Sequence, residues 1–368
     1  MDTVLSSKPA IRGVTAAAYS IPTDAPEADG TFAWSRTTLV VAEVAAGGES
    51  GLGYSYGHKA QVALIATTLA EAVAGRDALD IAGAWQAMRH AVRNLGQVGL
   101  AAMAIAAVDA ALWDLKGKLL GQSVATLLGR RRDSVPLYGS GGFTSYTPQQ
   151  LAKQLAGWAD QGLPWVKMKI GSDPEQDLAR VRQARAAIGR KTGLFVDANG
   201  AYSAKQALAF ADRFAEEQVS WFEEPVSSDH LDQLRLIRAR APDGMEIAAG
   251  EYGYDSFYFR RMLDAEAVDV LQADATRCGG LTGFLEVGAL CAARGLDLSA
   301  HTAPALHLHA CCAVPRLRHL EWFHDHVRIE AMLFDGAPVP EEGSIRPDLG
   351  RPGLGLDFKR ADAARYGE

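Results

Sequence analysis

Cysteine is scarce in this sequence, and its few copies form no recognisable framework. The 368 residues include four cysteines with no Cys-x-x-Cys pair among them: Cys278, Cys291, Cys311 and Cys312. A disulfide-stapled secreted domain needs a dense set of cysteines, and a structural zinc site needs closely spaced ones. We therefore expect reduced thiols in a reducing compartment, with the cytoplasm as the location.

The sequence also lacks the usual features of membrane, secreted and nucleic-acid-binding proteins. The apolar run at residues 99–108 is too short to span a bilayer, and no signal-peptide pattern stands at the start. The formal net charge is −7, and no basic run is interleaved with aromatics, which argues against a nucleic-acid partner. The phosphate-binding patterns GxGxxG and GxxxxGK[ST] are also missing, which argues against a doubly wound nucleotide-binding sheet.

The first third of the chain, residues 1–130, is predicted to form an α+β domain. Residues 11–56 alternate between apolar and polar positions, as in an antiparallel sheet. Apolar residues then recur at helical spacing in three segments, 62–73, 85–92 and 101–118. In the last of these, three residues are expected on the helix surface or in its packing: Asp109, Trp113 and Asp114.

Two segments of this domain are predicted to be surface loops. Residues 19–34 are rich in proline, aspartate and glycine, and residues 53–58 combine glycine with tyrosine. A short basic turn at 129–133 marks the expected boundary with the next domain.

Residues 131–324 repeat one pattern, an apolar strand of about five residues followed by a helix of about a dozen. Eight candidate strands lie at 135–139, 165–170, 193–197, 220–223, 246–249, 267–272, 297–300 and 319–322. Eight such periods predict an α/β fold with a closed parallel barrel, (β/α)7β, rather than an open sheet. The segment 325–368 has little periodicity and is expected to pack back on the N-terminal domain.

Polar side chains stand at nearly every predicted strand end, where the active site of a parallel barrel lies. Asp197, Glu223 and Glu251 end three successive strands. Three neighbouring carboxylates require a cation, and oxygen ligands without cysteine or histidine favour Mg²⁺. We therefore predict one Mg²⁺ per active site, held by these three residues.

Two lysines and a histidine supply candidate bases. Lys167 and Lys169 share one face of the second strand because side chains alternate along a strand. A lysine near a cation or another lysine has a lowered pKa and can remove a proton. On the opposite side, Asp274 can fix the tautomer of His301, and Glu321 is either a protonated acid or a ligand to an arginine.

These residues together resemble the enolase superfamily, and within it the mandelate racemase-like group. Lys167-Met168-Lys169 is similar to its Lys-x-Lys motif, the three carboxylates to its Mg²⁺ ligands, and Asp274 with His301 to its Asp–His dyad. The resemblance covers the whole chain and implies that the N-terminal region and the C-terminal segment form a capping domain. It also implies that Lys169 and His301 are the bases on two faces of the substrate.

The resemblance implies a reaction in which the proton α to a carboxylate is removed and an enediolate is stabilised. Ser140 and Lys167 would contact the substrate, Glu321 would donate a hydrogen bond, and Asn199 would also reach the substrate. Dehydration of an acid sugar to a 2-keto-3-deoxy acid is the leading expectation. The alternatives are a racemase or epimerase of a 2-hydroxy acid and, more remotely, a non-catalytic binding protein on the same fold.

The resemblance implies a small-molecule carboxylate substrate, and the sequence leaves the rest of the substrate's chemistry open. Arg277 and His58 would suit a polyhydroxy acid or a diacid, whereas Trp34, Tyr54 and Tyr56 would suit an aromatic one. Relatives of this kind are often dimers to octamers, so a homo-oligomer is expected.

Overall fold

The N-terminal part of the chain forms a three-stranded antiparallel sheet, in the order β1-β2-β3. The computed structural model describes residues 8–368, so the first seven residues of the predicted 1–130 domain lie outside the described part. The strands are β1 (Ile11–Ala28), β2 (Ala33–Ala46) and β3 (Glu49–Tyr56). Gly47 and Gly48 connect β2 and β3 with φ of 61° and 87°, as a two-residue hairpin requires.

Most of the two segments predicted to be loops is strand. Within 19–34 only residues 29–32 lie between β1 and β2, and residues 53–56 belong to β3. The pairing of β1 with β2 shifts between the pairs Pro22–Arg36 and Glu27–Trp34. Four residues of β1 there oppose one residue of β2, so β1 bulges where the sequence has its loop-like proline and aspartates.

Helices cover one face of this sheet: α1 (Ala60–Leu64), continued by a π-helical turn (Ile65–Leu69), α2 (Ala70–Val73), α3 (Ile81–Ala91), α4 (Leu100–Leu120) and α5 (Val124–Leu128). The longest, α4, packs directly on β3. A Cβ on Gly51 or Gly53 would lie 2.1 and 2.2 Å from carbonyl oxygens of α4, so only glycine permits this close approach.

Two carboxylates of α4, Asp109 and Asp114, are buried, so of the two expected positions, helix surface or packing, they occupy the second. Asp114 accepts hydrogen bonds from the amides of Leu52 (2.7 Å) and Leu354 (2.6 Å). Asp109 accepts from the amide of Thr282 at 3.0 Å and lies 2.6 Å from its hydroxyl. Asp109 thus connects the cap to the barrel, since Thr282 belongs to a barrel helix.

Eight parallel strands close into a barrel, as the sequence predicts. They are β4 (Val135–Gly141), β5 (Trp165–Lys169), β6 (Gly193–Asp197), β7 (Val219–Glu223), β8 (Glu246–Ala249), β9 (Val270–Ala273), β10 (Asp297–Ala300) and β11 (Leu317–Phe323). Each strand pairs with the next, and β11 closes the barrel by pairing with β4 in parallel. The (β/α)7β barrel and the α/β class are therefore confirmed.

The barrel helices alternate with these strands. They are α6 (Pro148–Asp160), α7 (Pro174–Ile188), α8 (Ala204–Glu216), α9 (Leu231–Arg238), α10 (Ser256–Asp264), α11 (Gly280–Arg294), α12 (Pro304–Ala313) and α13 (His324–Leu333). Inside the barrel, Tyr138, Phe195 and Trp221 pack together with Ala248 and Val270 into a buried layer. This apolar layer fills the interior and leaves the strand ends for polar groups.

The C-terminal segment contacts both parts of the molecule. It contains β12 (Phe334–Asp335), β13 (Ser344–Ile345), β14 (Asp357–Phe358), α14 (Arg360–Ala363) and a final 3₁₀ turn (Ala364–Tyr366). β13 adds to the barrel beside β4, and the amide of Glu368 donates to the carbonyl of Ala18 in β1 at 3.1 Å.

The four cysteines are free and buried. Burial raises the pKa of the Cys291 thiol to about 12 and that of Cys312 to about 11, so both are held as unreactive thiols. No helix within residues 8–368 combines the length and the apolar character that crossing a bilayer requires.

Candidate active site

The C-terminal ends of the barrel strands bring the predicted catalytic residues together at one rim. Parallel strands all end on the same side of a barrel, so one side chain from each strand can reach a common centre. The buried group comprises Lys167, Lys169, Asp197, Glu223, Glu251, Asp274, His301 and Glu321, none of them more than 6% exposed.

Asp197, Glu223 and Glu251 form a compact group that can hold a cation. One carboxylate oxygen of each lies within 4.8 Å of the others. Glu251 Oε2 is buried and has no hydrogen-bond partner, although His301 Nε2 lies 3.2 Å away. Burial and the Asp197 carboxylate raise the pKa of Glu223 to about 8, despite the adjacent Lys167. Three crowded carboxylates with an unpartnered oxygen fit Mg²⁺, which prefers oxygen ligands.

Lys167 is a fully buried ammonium group surrounded by carboxylates. Its Nζ lies 2.5 Å from Glu223 Oε1, 2.9 Å from Glu321 Oε1 and 3.5 Å from Asp197 Oδ2. Burial lowers its pKa, but Glu223 and Glu321 outweigh burial and hold the pKa well above the ordinary value. Lys167 is therefore a fixed positive charge in the protein alone.

Lys169 donates to Asp197 Oδ2 from the same face of β5. Its pKa also lies above the ordinary value: burial and Lys167 lower it, but the carboxylates of Asp197, Glu251 and Glu223 together raise it by more. This differs from the sequence-based expectation of a lowered pKa. The physical reason is the negative charge of the Asp197 carboxylate next to Lys169. A bound divalent cation would offset this charge and so lower the pKa of Lys169.

Asp274 and His301 form a hydrogen-bonded pair on the far side of the rim. His301 Nδ1 lies 2.9 Å from Asp274 Oδ2, and the amide of Thr276 donates to Asp274 Oδ1 at 2.7 Å. Burial by itself lowers the pKa of His301. The carboxylates of Glu251 and Glu321 raise it by more than burial lowers it, so the pKa is about 10. With Nδ1 held by Asp274, Nε2 is the nitrogen that faces the carboxylates.

Glu321 contacts Lys167 rather than an arginine. Besides Lys167, its Oε2 accepts from the amide of Thr302 at 3.2 Å and lies 3.7 Å from His301 Nε2. Burial raises the pKa of Glu321, but Lys167, His301 and Lys169 together lower it by more, to about 2. In the protein alone Glu321 is therefore ionised. It can act as the predicted protonated donor only when the influence of the neighbouring positive charges is reduced and its pKa rises.

Ser140 and Asn199 lie near this group in different ways. Ser140 is the residue before the end of β4 and pairs with Phe323 of β11. Its side chain is fully buried, and its hydroxyl has no hydrogen-bond partner. Asn199 follows β6 with a positive φ of 46°, and its amide donates to Asp197 Oδ1 at 2.9 Å. The Asn199 side-chain oxygen is buried without a partner, which leaves it free to bind a substrate.

A cavity of about 370 Å³ opens onto these strand ends, between the barrel and the cap. Of the predicted substrate contacts, Trp34, Asn199 and Arg277 line it. Among the further lining residues that the sequence did not indicate are Arg36, Tyr252, Thr302 and His326. Thr302 was detectable as the neighbour of His301, but no local pattern marks Arg36, whose position depends on how the cap sits on the barrel.

Tyr54 and His58 do not line this cavity, which corrects their predicted role as substrate contacts. The Tyr54 hydroxyl is fully buried and donates to Glu330 Oε1 at 2.6 Å, while its ring stacks on Phe334. Because 53–56 is strand rather than loop, the tyrosine points into the cap–barrel packing. His58 is exposed, and its Nδ1 accepts from the amide of Ala60 at 3.1 Å.

Comparison with known proteins agrees with this architecture. Residues 13–129 match the model of the mandelate racemase / muconate lactonizing enzyme N-terminal domain, and residues 150–363 match the enolase C-terminal domain-like model. An L-talarate/galactarate dehydratase of Salmonella typhimurium is 30% identical over 311 residues, which cover 82% of this chain and 78% of that protein.

Solved structures give the same result. A mandelate racemase/muconate lactonizing enzyme-like protein from Rubrobacter xylanophilus is 51% identical, with a TM-score of 0.96 over 98% of this chain and all of that one. A racemase from Streptomyces coelicolor A3(2) with bound magnesium is 29% identical, with a TM-score of 0.91 over 97% of this chain and 100% of that one. The chain therefore belongs to the mandelate racemase / muconate lactonizing enzyme family of the enolase superfamily.

Proposed function

We propose that this protein is a Mg²⁺-dependent acid-sugar dehydratase that removes the proton α to a carboxylate and converts an acid sugar to a 2-keto-3-deoxy acid. The observation that carries the proposal is that Lys169 and His301 lie on opposite sides of the three carboxylates. Lys169 contacts Asp197 at one end of the group, and His301 Nε2 faces Glu251 at the other. The similarity to an L-talarate/galactarate dehydratase supports this reaction.

In this proposal the chain's own residues divide the proton transfers. Lys169 removes the α-proton, and Lys167 keeps a permanent positive charge where the enediolate develops negative charge. His301 protonates the departing β-hydroxyl, which leaves as water, and Asp274 keeps Nδ1 of His301 occupied so that Nε2 acts. The resulting enol then tautomerises to the 2-keto-3-deoxy acid, so one substrate yields one keto acid and one water.

Asp197, Glu223 and Glu251 would hold the Mg²⁺. When bound, the ion supplies Lewis-acid stabilisation of negative charge on the substrate carboxylate. Ser140 and Asn199 have unpartnered buried oxygens that would orient the substrate, and Glu321 would contact the enediolate. Trp34 and Arg277 would contact the rest of the substrate from the cavity wall.

A racemase or epimerase of a 2-hydroxy acid is the second candidate. Two bases on opposite faces allow one to remove the α-proton and the other to return it. The similarity to a racemase that contains magnesium favours this alternative. The two reactions separate by product, since only dehydration forms a keto acid.

The first experiment tests the metal site. Wild-type protein and Glu223→Gln are incubated with a panel of aldonic and aldaric acids and Mg²⁺, and 2-keto acid formation is measured. We expect the variant to lose at least about 10³-fold in activity, because removing one pre-organised charge partner costs about 4 kcal/mol. Glu175→Gln, an exposed change on α7, is the matched control. Full activity of the wild type after EDTA treatment would exclude the metal assignment.

The second experiment tests the two bases. Lys169→Met and His301→Asn are each incubated with both substrate epimers in D₂O, and exchange of the α-proton is followed by NMR. Each variant should retain exchange for the epimer whose α-proton faces the remaining base. If both variants lose exchange with every substrate, the two residues do not act as independent bases.

We also propose that the protein is a cytoplasmic homo-oligomer. Support comes from free, buried thiols and from three exposed apolar side chains close together in sequence, Leu95, Val98 and Leu100. Light scattering after size-exclusion chromatography measures the mass, and a monomer of 39.3 kDa would contradict the assembly.

A further inference from the structure

A second group of ligating side chains shares no residue with the barrel-rim carboxylates. Asp24 lies in the bulge of β1, Glu27 is the paired residue that directly follows the bulge, and His324 is the first residue of α13. One ligand atom of each lies within 4.8 Å of the others. His324 Nε2 is 3.1 Å from Asp24 Oδ1 and 3.0 Å from Oδ2. We propose that these three residues, the cap-latch site, bind a divalent transition-metal ion of the Zn²⁺ type.

Glu27 gives an independent indication that a ligand is bound. Its side chain is only 1% exposed, and its Oε2 accepts from Trp34 Nε1 at 2.8 Å. Its Oε1 is buried with no hydrogen-bond partner. An ionised carboxylate oxygen that is buried without a donor is strongly unfavourable unless a proton or a cation neutralises it.

The side chains around the cap-latch site do not supply that positive charge. Within residues 8–368, no lysine or arginine forms an ion pair with Asp24 or Glu27. The nearby guanidinium of Arg328 is committed elsewhere, since it pairs with Asp325 and donates to the carbonyl of Pro22 at 2.8 Å. His324 is therefore the only basic side chain in the described part of the chain that pairs directly with either of the two carboxylates.

The donor set selects the class of ion. Imidazole nitrogen suits Zn²⁺ and its neighbours, whereas Mg²⁺ strongly prefers oxygen ligands and water. Two carboxylates and one histidine supply three protein ligands and leave further positions for water. Asp24 and His324 also line an open cavity of about 660 Å³, so an ion can reach the site from solvent.

An ion here would connect the cap to the end of the last barrel strand. The same stretch of β1 already makes a hydrogen bond at each of its ends. The guanidinium of Arg328 donates to the carbonyl of Pro22, and the hydroxyl of Ser145 donates to the carbonyl of Pro26 at 2.6 Å. Glu27 in turn holds Trp34, which lines the active-site cavity. Occupation of the cap-latch site would therefore fix the position of Trp34. The inference does not depend on which reaction the barrel rim catalyses.

The test is the number of zinc ions bound per chain. Metal-free wild type, Asp24→Asn, His324→Gln and a control, His90→Gln, are dialysed against Zn²⁺, and their metal content is measured by mass spectrometry. His90 is an exposed histidine on α3. We expect two ions per chain in the wild type and the control, one at the rim and one at the cap-latch site. Asp24→Asn and His324→Gln should each hold one.

Equal zinc content in all four proteins would overturn the proposal, whether that content is one or two. Asp24 and His324 are partly exposed, and circular dichroism verifies that their variants are folded. Co²⁺ gives a second readout, because its visible spectrum changes with its ligands. A component of the Co²⁺ spectrum that His324→Gln loses and His90→Gln keeps supports the site, and identical spectra in the two variants contradict it.

Discussion

Asp109→Asn should remove a specific pH dependence of stability from this protein. Asp109 is fully buried in α4, and burial raises its pKa from 3.8 to about 7 despite the hydrogen bonds from Thr282. The folded chain therefore binds this proton more tightly than the unfolded chain does. Between these two pKa values the folded state holds more protons, so the free energy of unfolding falls as the pH rises through that window.

The size of the effect follows from the width of the window. A shift of about three pKa units corresponds to about 4 kcal/mol, fully present below pH 3.8 and lost by about pH 7. Asparagine is a good mimic of the protonated acid, because its amide NH₂ can donate to the Thr282 hydroxyl, 2.6 Å from Asp109, while its oxygen accepts from the Thr282 amide. The variant keeps these contacts and has no charge to bury.

The assay is urea unfolding of the wild type and Asp109→Asn between pH 4.5 and 8. The stability of the variant relative to the wild type should rise by about 3 to 4 kcal/mol across this range, since pH 4.5 already lies inside the window. Asp212→Asn, on the exposed face of α8, controls for loss of a surface charge. A relative stability that stays constant with pH would show that Asp109 titrates alike in the folded and unfolded chains, and would refute the reasoning.

Two further variants test other parts of the structure. Tyr54→Phe should destabilise the protein by about 1 to 3 kcal/mol in urea unfolding, because Glu330 Oε1 loses its buried donor. The KM of this variant should equal that of the wild type, and a raised KM would show that Tyr54 does contact the substrate. Gly250→Ala should weaken Mg²⁺ binding by about tenfold or more in a Mg²⁺ titration. The φ of Gly250 is 137°, and an added Cβ would lie 2.1 Å from the carbonyl oxygen of Gln272. The backbone would have to move to relieve this contact, and the move would displace Glu251, the next residue. Unchanged Mg²⁺ affinity would show that Glu251 does not depend on this turn.

The barrel was predictable because its signals are local. Three of the predicted strands, at 193–197, 246–249 and 297–300, have the bounds that the structure has, and others differ by one to three residues. Each is a short apolar run between turn residues, and its polar end follows directly. Once a closed barrel is assumed, topology alone brings Asp197 and Glu223 to the same rim.

The cap was less predictable because its contacts are long-range. Tyr54 and Asp109 look like an exposed aromatic and a helix-surface charge when only their neighbours in sequence are considered. Their partners, Glu330 and Thr282, are 276 and 173 residues away along the chain. A buried carboxylate or hydroxyl is stable only with such a partner, and sequence spacing does not reveal one. The loop-like composition of β1 misled the prediction for a related reason, since a bulge tolerates proline and aspartate within a strand.

The distribution of the rim side chains over successive barrel strands has a consequence for folding. Lys167 and Glu223, which touch, are 56 residues apart in sequence, and the rim is complete only when β11 pairs with β4. A partly folded chain in which β11 has not yet paired with β4 therefore lacks the contact of Glu321 with Lys167, while the neighbouring strands β5 to β7 can already bring Lys167 to Glu223. Mg²⁺ should stabilise only a chain in which β6, β7 and β8 are paired, so metal binding during refolding would report the assembly of these three strands rather than the final closure of the barrel.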